Sequence, residues 1–363
     1  MDLFLDDKTS LKLLRVTRWD HTVSLQPCDV VAPQPLGLTT AKLNRLAMPG
    51  LLSTLRIPES EPLGVLVPNA RSRIRSRDFA CTVLKRPRGA HPFLRLVSRD
   101  NRLLGPLVPE DSNVYALSAP NIVLGMAKRL RQRVIDGKLT KRVAVLMLLK
   151  LCLELCGTFA HSPHDPKRGA VVYGVEPSLN TKDLLLFLSD SGTEQGLALA
   201  RKASALAYDL SGSPQESFMG PALFGSVDSG GLALAPFVAN KALVLNAEQR
   251  ALIEGRTITP DFYLSDYNSV IEFKGDVHNT GDNPRIDHVR DLDYQTLGIR
   301  DFSFVYDDVR TQEAFNKSAA RIVVAIAQRD GQEATNRFMR LLKNGSFLRR
   351  QYTMFEVFRP WLR

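Results

Sequence analysis

The residues best suited to chemistry are Asp261, Glu272 and Lys274. Asp261 opens the run Phe262-Tyr263-Leu264, and Glu272 and Lys274 lie in Ser269-Val270-Ile271-Glu272-Phe273-Lys274. Both runs are rich in aromatic and β-branched residues, which favour strands. Ser265-Asp266-Tyr267-Asn268 between them reads as a turn. A hairpin of this form brings Asp261 and Glu272 to one end of a sheet. Glu272 and Lys274 are two apart, so on a strand they share a face, while Ile271 and Phe273 point into a core. Two carboxylates and a lysine at one spot suit phosphodiester hydrolysis. Carboxylates are hard oxygen ligands for Mg²⁺ (or Mn²⁺), and Mg²⁺ takes one or two of them together with phosphate and water. The ion lowers the pKa of a bound water and offsets phosphate charge. The ammonium orients or deprotonates the attacking water, or stabilises developing charge.

Pro260-Asp261, ten intervening residues and Glu272-Phe273-Lys274 resemble the motif of the PD-(D/E)XK nuclease superfamily. Glu216, in Ser213-Pro214-Gln215-Glu216-Ser217, stands where that superfamily often carries another acid on a preceding helix. Downstream, Gly275, His278, Asp287, Arg290, Asp291, Leu297 and Gly298 are spaced as in the DUF559 and very-short-patch-repair-like branch. Phe302-Ser303-Phe304-Val305-Tyr306 matches its next strand. Ser118-Ala119-Pro120, Glu154-Leu155-Cys156-Gly157 and Ser213-Pro214-Gln215-Glu216 extend the resemblance upstream, and some such proteins carry an N-terminal region similar to AbiEi-type antitoxins. The resemblance implies an α/β fold with a restriction-endonuclease-like mixed sheet flanked by helices. It implies a Mg²⁺-dependent endonuclease acting on DNA, in defence or a toxin–antitoxin-type system. Asp261 and Glu272 would hold the metal, Lys274 would activate water, Glu216 would assist, and His278 and Arg290 would contact the scissile phosphate. The alternative is a non-catalytic DNA-binding regulator or antitoxin-like protein that retains the fold.

The chain has 363 residues and a net charge of +10. The charge is uneven: residues 71–150 hold 18 Lys/Arg against 5 Asp/Glu, whereas residues 191–363 hold 20 against 21. A basic segment upstream of an acidic motif suits a phosphate-binding part feeding a metal-binding part. Within it, Arg71, Arg73, Arg75 and Arg77 alternate, so an extended segment puts four guanidinium groups on one side as a nucleic-acid clamp. The bland alternative is a solvated basic face.

These patterns divide the chain into four parts. Residues 1–70, broken by seven prolines from Pro27 to Pro68, read as an irregular N-terminal region. Residues 71–189 read as a basic α+β accessory domain, residues 190–330 as the nuclease-like domain, and residues 331–363 as a basic, aromatic tail. Thr39 to Leu46 reads as one short helix. Ser118 caps a helix with proline in its first turn, and residues 140–157 form a more apolar one. Between Arg285 and Leu297 a helix has Ile286, Val289 and Leu297 on its core face, with Asp287, Asp291 and Tyr294 on another side.

Cys152, Cys156, His161 and His164 are close in sequence, but their spacing matches no standard zinc finger, and cysteines at i, i+4 on a leucine-rich helix read as core thiols. The longest clean apolar run, Val143 to Leu149, is too short to span a bilayer. Four cysteines in so long a chain do not make a disulfide framework, so free thiols and a cytoplasmic setting are expected. The expected partner is nucleic acid, DNA by the resemblance, with no membrane; a homodimer or a protein partner stays open.

Overall fold

The computed structural model describes residues 2–19, 23–33, 61–73, 79–84, 87–98, 113–163, 165–166, 170–275 and 283–362. It is mixed α/β. The backbone separates into two compact units, Met1–Leu155 with Phe159–Ala205, and Cys156–Thr158 with Leu206–Arg363. The boundary at Ala205 lies beyond residue 190, where the composition places it.

The first unit contains a four-stranded sheet in the order β1-β6-β5-β2, built from β1 (Asp2–Phe4), β2 (Val23–Pro27), β5 (Phe93–Ser98) and β6 (Asn113–Leu117). Strands β3 (Leu63–Val67) and β4 (Phe79–Val83) pair in parallel. Every residue of β3, Leu-Gly-Val-Leu-Val, is buried, as expected of an apolar run covered on both faces. Strands β7 (Phe159–His161) and β8 (Val171–Tyr173) form a hairpin. The helices are α1 (Asp7–Trp19), α2 (Ala119–Ile135), α3 (Lys141–Cys156), α4 (Thr181–Ser189) and α5 (Leu197–Ser204). Residues 1–70 are therefore not irregular throughout. Asp6 caps α1, its Oδ1 accepting the Thr9 N–H at 2.9 Å. Leu13 and Val16 of α1 join Leu3, Leu5, Val65 and Val114 in one core.

A second buried feature ties this unit together. Glu154, near the end of α3, is 1 % exposed. Its carboxylate accepts Arg15 Nε at 2.8 Å and Arg15 Nη2 at 2.6 Å, and its carbonyl accepts Arg18 Nη1 at 2.8 Å. The fork geometry is the strong, bidentate form of an ion pair. The two arginines hold the Glu154 carboxyl down to about 2 against the opposing effect of burial, and burial pushes the neighbouring His161 imidazole down to about 4.

The second unit is a helix, α6 (Pro214–Phe224), followed by an antiparallel meander of β9 (Val238–Ala239), β10 (Phe262–Leu264) and β11 (Ser269–Lys274). A short helix, α7 (Ala247–Leu252), lies between β9 and β10. Helix α8 (Asn283–Thr296) then crosses over to β12 (Arg300–Val305), which pairs with β11 in parallel; the sheet order is β12-β11-β10-β9. A parallel pair needs such a crossover, whereas the β10–β11 hairpin needs only a turn. That turn is Ser265–Tyr267, closed by Asn268 at φ 44°, ψ 49°, a left-handed conformation that asparagine tolerates.

Alternation along β11 gives the sheet two unlike faces. Val270 packs with Ile253, Ile258, Tyr294 and Ile299, and Glu272 and Lys274 share its side. On the opposite face, Phe262 lies 5.5 Å from Phe237 and 5.5 Å from Phe224 between ring centroids. Phe304 continues that layer toward Phe315, which in turn meets Phe218 and Phe355. The covering helices are α9 (Tyr306–Arg310), α10 (Gln312–Asp330), α11 (Glu333–Lys343) and α12 (Gly345–Phe358). Residues 331–362 are thus not a tail and contribute to the core: Phe347, Met354, Phe355, Phe358 and Trp361 are buried. Asn316 and Gln351 exchange two amide hydrogen bonds of 2.9 Å, and Gln312 adds a third of 2.7 Å, so α10 and α12 are fixed by a satisfied buried network.

Candidate functional site

The second unit brings Asp261, Glu272, Lys274 and Glu216 to one end of its sheet. Phe262 pairs with Ile271, so continuing that register by one residue sets Asp261 opposite Glu272 on the same face. Asp261 stands just before β10, where its Oδ2 accepts the Phe273 N–H at 2.7 Å. This bond fixes the carboxylate against the strand that carries Glu272 and Lys274.

Glu216 arrives on the first turn of α6. Ser213 caps that helix, its Oγ accepting the Glu216 N–H at 3.1 Å, and Pro214 occupies the first helical position. The Glu216 Oε2 accepts the Gly212 N–H at 2.8 Å and Asn240 Nδ2 at 2.7 Å. A Cβ on residue 212 would stand 3.0 Å from Glu216 Oε1, so the close approach favours glycine there. Asn240 also donates its N–H to the Asp261 carbonyl at 3.1 Å, tying the two acids to one connector.

Glu272 is 3 % exposed. Its Oε1 accepts the Tyr294 hydroxyl, and its Oε2 lies 3.3 Å from Arg290 Nη1. Tyr294 is buried in the core cluster, so the assignment of it to a side apart from the core face of α8 is incorrect. It stands four residues after Arg290, and that spacing puts both on the face of α8 that meets Glu272. The Lys274 ammonium is held by Asp291 at 2.8 and 2.9 Å, with Asp301 at 3.8 Å. Arg290 and Lys274 therefore both meet carboxylates: Arg290 bonds Glu272, and Lys274 bonds Asp291.

Crowding of acids dominates the electrostatics. Burial, then Glu216 and Glu272, raise the Asp261 carboxyl well above its ordinary range. Burial pushes Glu272 up to about 7, against the opposing effects of Arg290 and Tyr294. Burial raises Glu216 and Asp301 as well. The Tyr294 phenol is raised by burial and by Glu272, so it stays protonated and donates. Oδ1 of Asp301 is buried without a hydrogen-bond partner.

The donor chemistry gathered here, carboxylate oxygens, is the kind a hard divalent cation takes. Several hard oxygen donors repel one another, and a buried acceptor lacks a donor. Among the described residues no group of three or more His, Cys, Asp or Glu is arranged to hold a metal. A pair, Asp261 and Glu272, is the number Mg²⁺ takes when phosphate and water complete its shell.

The crowding has a measurable cost. A folded-state value near 7 for Glu272 exceeds the unfolded value of 4.5, so the stabilising contribution is present below 4.5 and is lost as pH rises through about 7. Asp261→Asn removes one repelling charge and keeps an acceptor for the Phe273 N–H. Its melting temperature without divalent cation should exceed wild type by about 2–4 °C at pH 8, the scale of roughly 1 kcal/mol in a unit of this size, and by less at pH 6. An equal shift at both pH values would reject charge crowding as the cause.

Other sequence candidates fall elsewhere. Arg71 lies in a 3-10 turn (Ala70–Ser72) and Arg73 follows it, both exposed, so the extended alternation does not begin at Arg71. Arg75, Arg77, His278 and His164, and the side chain of Asp287, lie outside the described residues, as does the helix expected at Thr39 to Leu46. Cys152 and Cys156 are buried and form no disulfide, and His161 sits in β7. No described helix is long and apolar enough to cross a membrane. Two contributors went unrecognised in the sequence, Asn240 and Asp301. Asp301, two residues before Ser303, shares its face of β12, and that alternation was the available signal; Asn240, at φ 45°, left none. No family model matches the chain, and no curated protein or solved structure matches it.

Proposed function

We propose that the second unit is a PD-(D/E)XK-type, restriction-endonuclease-like domain that hydrolyses nucleic-acid phosphodiester bonds with Mg²⁺ (or Mn²⁺), with DNA as the substrate. The carrying observation is the register that sets Asp261 across from Glu272, with Lys274 two residues on and Glu216 joined to Asp261 through Asn240. The order helix, three-stranded meander, crossover helix and parallel strand supports the same reading.

In this reading Asp261 and Glu272 hold the cation, and Glu216 adds negative charge behind Asp261. The cation, when bound, supplies a water of lowered pKa and offsets phosphate charge. Lys274 stands beyond Glu272 on the same face and orients or deprotonates the attacking water, with Asp291 fixing its ammonium. Arg290 contacts Glu272 and is placed to turn toward a phosphate oxygen, since a guanidinium exchanges carboxylate for phosphate without changing its fork geometry. The basic residues of segment 71–150 supply electrostatic attraction to the polyanion.

The test is cleavage of single-stranded DNA, duplex DNA and RNA by the whole chain, with Mg²⁺, with Mn²⁺ and with EDTA. Metal-dependent cleavage of DNA is expected. One observation favours the non-catalytic alternative: Arg290 and Tyr294 already engage both oxygens of Glu272. Under that alternative the chain binds DNA and cleaves nothing at any metal concentration.

A further inference from the structure

A cleft of about 610 Å³ opens in the second unit between α9, the start of α10 and α12. Its volume falls within the range of small-ligand sites. Each long wall carries one tyrosine and one arginine. Tyr306 and Arg310 stand at i, i+4 on one wall, and Tyr352 of α12 and Arg359, in the 3-10 turn that follows it (Arg359–Trp361), stand on the other. Phe355 forms an apolar floor and is buried. Tyr352 is 53 % exposed, so its ring is open to a ligand in the cleft.

The charges here are loosely held. Arg310 reaches Asp307 at 4.0 Å, with both side chains well exposed. Arg359 pairs with Glu356 three residues back, also at the surface. Solvent-screened pairs of this kind are worth little and are readily exchanged for phosphate. Glu313 is the one acid lining the cleft, and a carboxylate suits an exocyclic amino group rather than a phosphate.

The cleft lies at the catalytic end of the sheet. Val305 is the register partner of Lys274 in the parallel β11–β12 pair, and Tyr306 is the next residue. The cleft shares that sheet end but lies among the helices that cover the other face, so a strand engaged at Asp261 and Glu272 reaches it by passing the edge strand β12.

We infer that the cleft between Tyr306/Arg310 and Tyr352/Arg359 binds an unpaired nucleotide of the nucleic-acid strand, with its base against the tyrosines and its phosphate on the arginines. Aromatic faces with flanking cations are the chemistry that holds single-stranded nucleic acid, since every base has a π-face and every nucleotide a phosphate. A paired base in a duplex cannot insert. The inference rests on the nuclease reading for its substrate class and adds a preference for single-stranded or locally opened substrate.

The test reads binding separately from cleavage. The whole chain, in EDTA, is titrated with a single-stranded oligodeoxynucleotide carrying 2-aminopurine, and with the same sequence as duplex. The single strand should bind with its fluorescence quenched by stacking. Tyr352→Ala should weaken binding about tenfold, within the range for one lost base stack, and abolish the quench. Tyr352→Phe should retain both, and Arg359→Ala should weaken binding and lower the salt slope by about one phosphate. Tyr352 and Arg359 are exposed, so none of these changes touches the core. Unchanged affinity and quench in Tyr352→Ala would overturn the inference, as would equal affinity of wild type for the duplex. If Mg²⁺-dependent cleavage persists in that case, the nuclease reading stands without the cleft. Tight, quenched binding with no cleavage under any metal keeps the cleft and removes the catalytic reading.

Discussion

Asp261→Asn is expected to lower Mg²⁺-dependent cleavage by roughly two to three orders of magnitude, the scale on which loss of one charge-stabilising group slows a reaction. DNA binding should change little. The amide nearly preserves shape and still offers an oxygen to the Phe273 N–H, so the hairpin is kept. It removes the negative charge, so the cation loses a principal ligand. Lys274→Ala should also remove most activity while sparing cation binding, because an ammonium is not a ligand. Its loss leaves Asp291 and Asp301 facing each other with less positive charge between them. Glu216→Gln should have the mildest effect, since Asn240 and Gly212 can still bond an amide oxygen. The measurements are single-turnover rates and binding isotherms for each variant. Cleavage that continues undiminished in Asp261→Asn would place the activity elsewhere or in a contaminant.

The largest stability effect is expected at Glu154 in the first unit. Glu154→Ala leaves Arg15 without its bidentate partner, and breaking a buried pair by removing one member costs about 3–5 kcal/mol. A change of this size lowers the unit's melting temperature by roughly 10 °C. Arg15→Met combined with Glu154→Leu should recover much of the loss, because Arg15 no longer leaves an unpaired charge and Arg18 keeps its bond to the residue-154 carbonyl. The same cluster sets an acid limit. Glu154 titrates at about 2 in the fold against 4.5 when unfolded, so its contribution is complete above 4.5 and is lost as pH falls toward 2. His161 titrates at about 4 against 6.5, so the folded state also binds fewer protons there, and stability falls as pH drops from 6.5 to 4. Melting curves between pH 7 and pH 3 should therefore shift steadily downward for wild type and less for the apolar double variant. A double variant as acid-sensitive as wild type would exclude this cluster as the cause.

The hairpin was legible in the sequence because its signals are local. Period-2 alternation put Glu272 and Lys274 on one face, and Ser-Asp-Tyr-Asn closed the turn. Ser213-Pro214-Gln215-Glu216 likewise announced a helix start. What joins these pieces is not local. Parallel pairing of β12 with β11 depends on a crossover, and the bond from Asn240 to Glu216 depends on a left-handed residue that no neighbour requires. Helix α8 misled because its apolar positions are sparse: Leu292 is exposed, while Tyr294 is buried against an acid. At the N-terminus, the prolines that obscured residues 1–70 all follow α1, in which Leu11 and Leu14, and Leu13 and Val16, stand at i, i+3. At the C-terminus, Phe347, Gln351, Met354, Phe355 and Phe358 repeat at helical spacing, a core signature hidden by the surrounding basic residues.

That burial of the last helices supplies the protein with its own optical instrumentation. The chain has two tryptophans. Trp19 ends α1 in the first unit, and Trp361 packs edge-on against Phe358 in the second. Each unit thus carries one tryptophan, which can be excited apart from the tyrosines. Single Trp→Phe variants allow the unfolding of each unit to be followed by itself, with no label attached. Trimming the chain before residue 331 to isolate a catalytic fragment would remove the second reporter and the Phe355 and Phe358 rings that pack on Phe218.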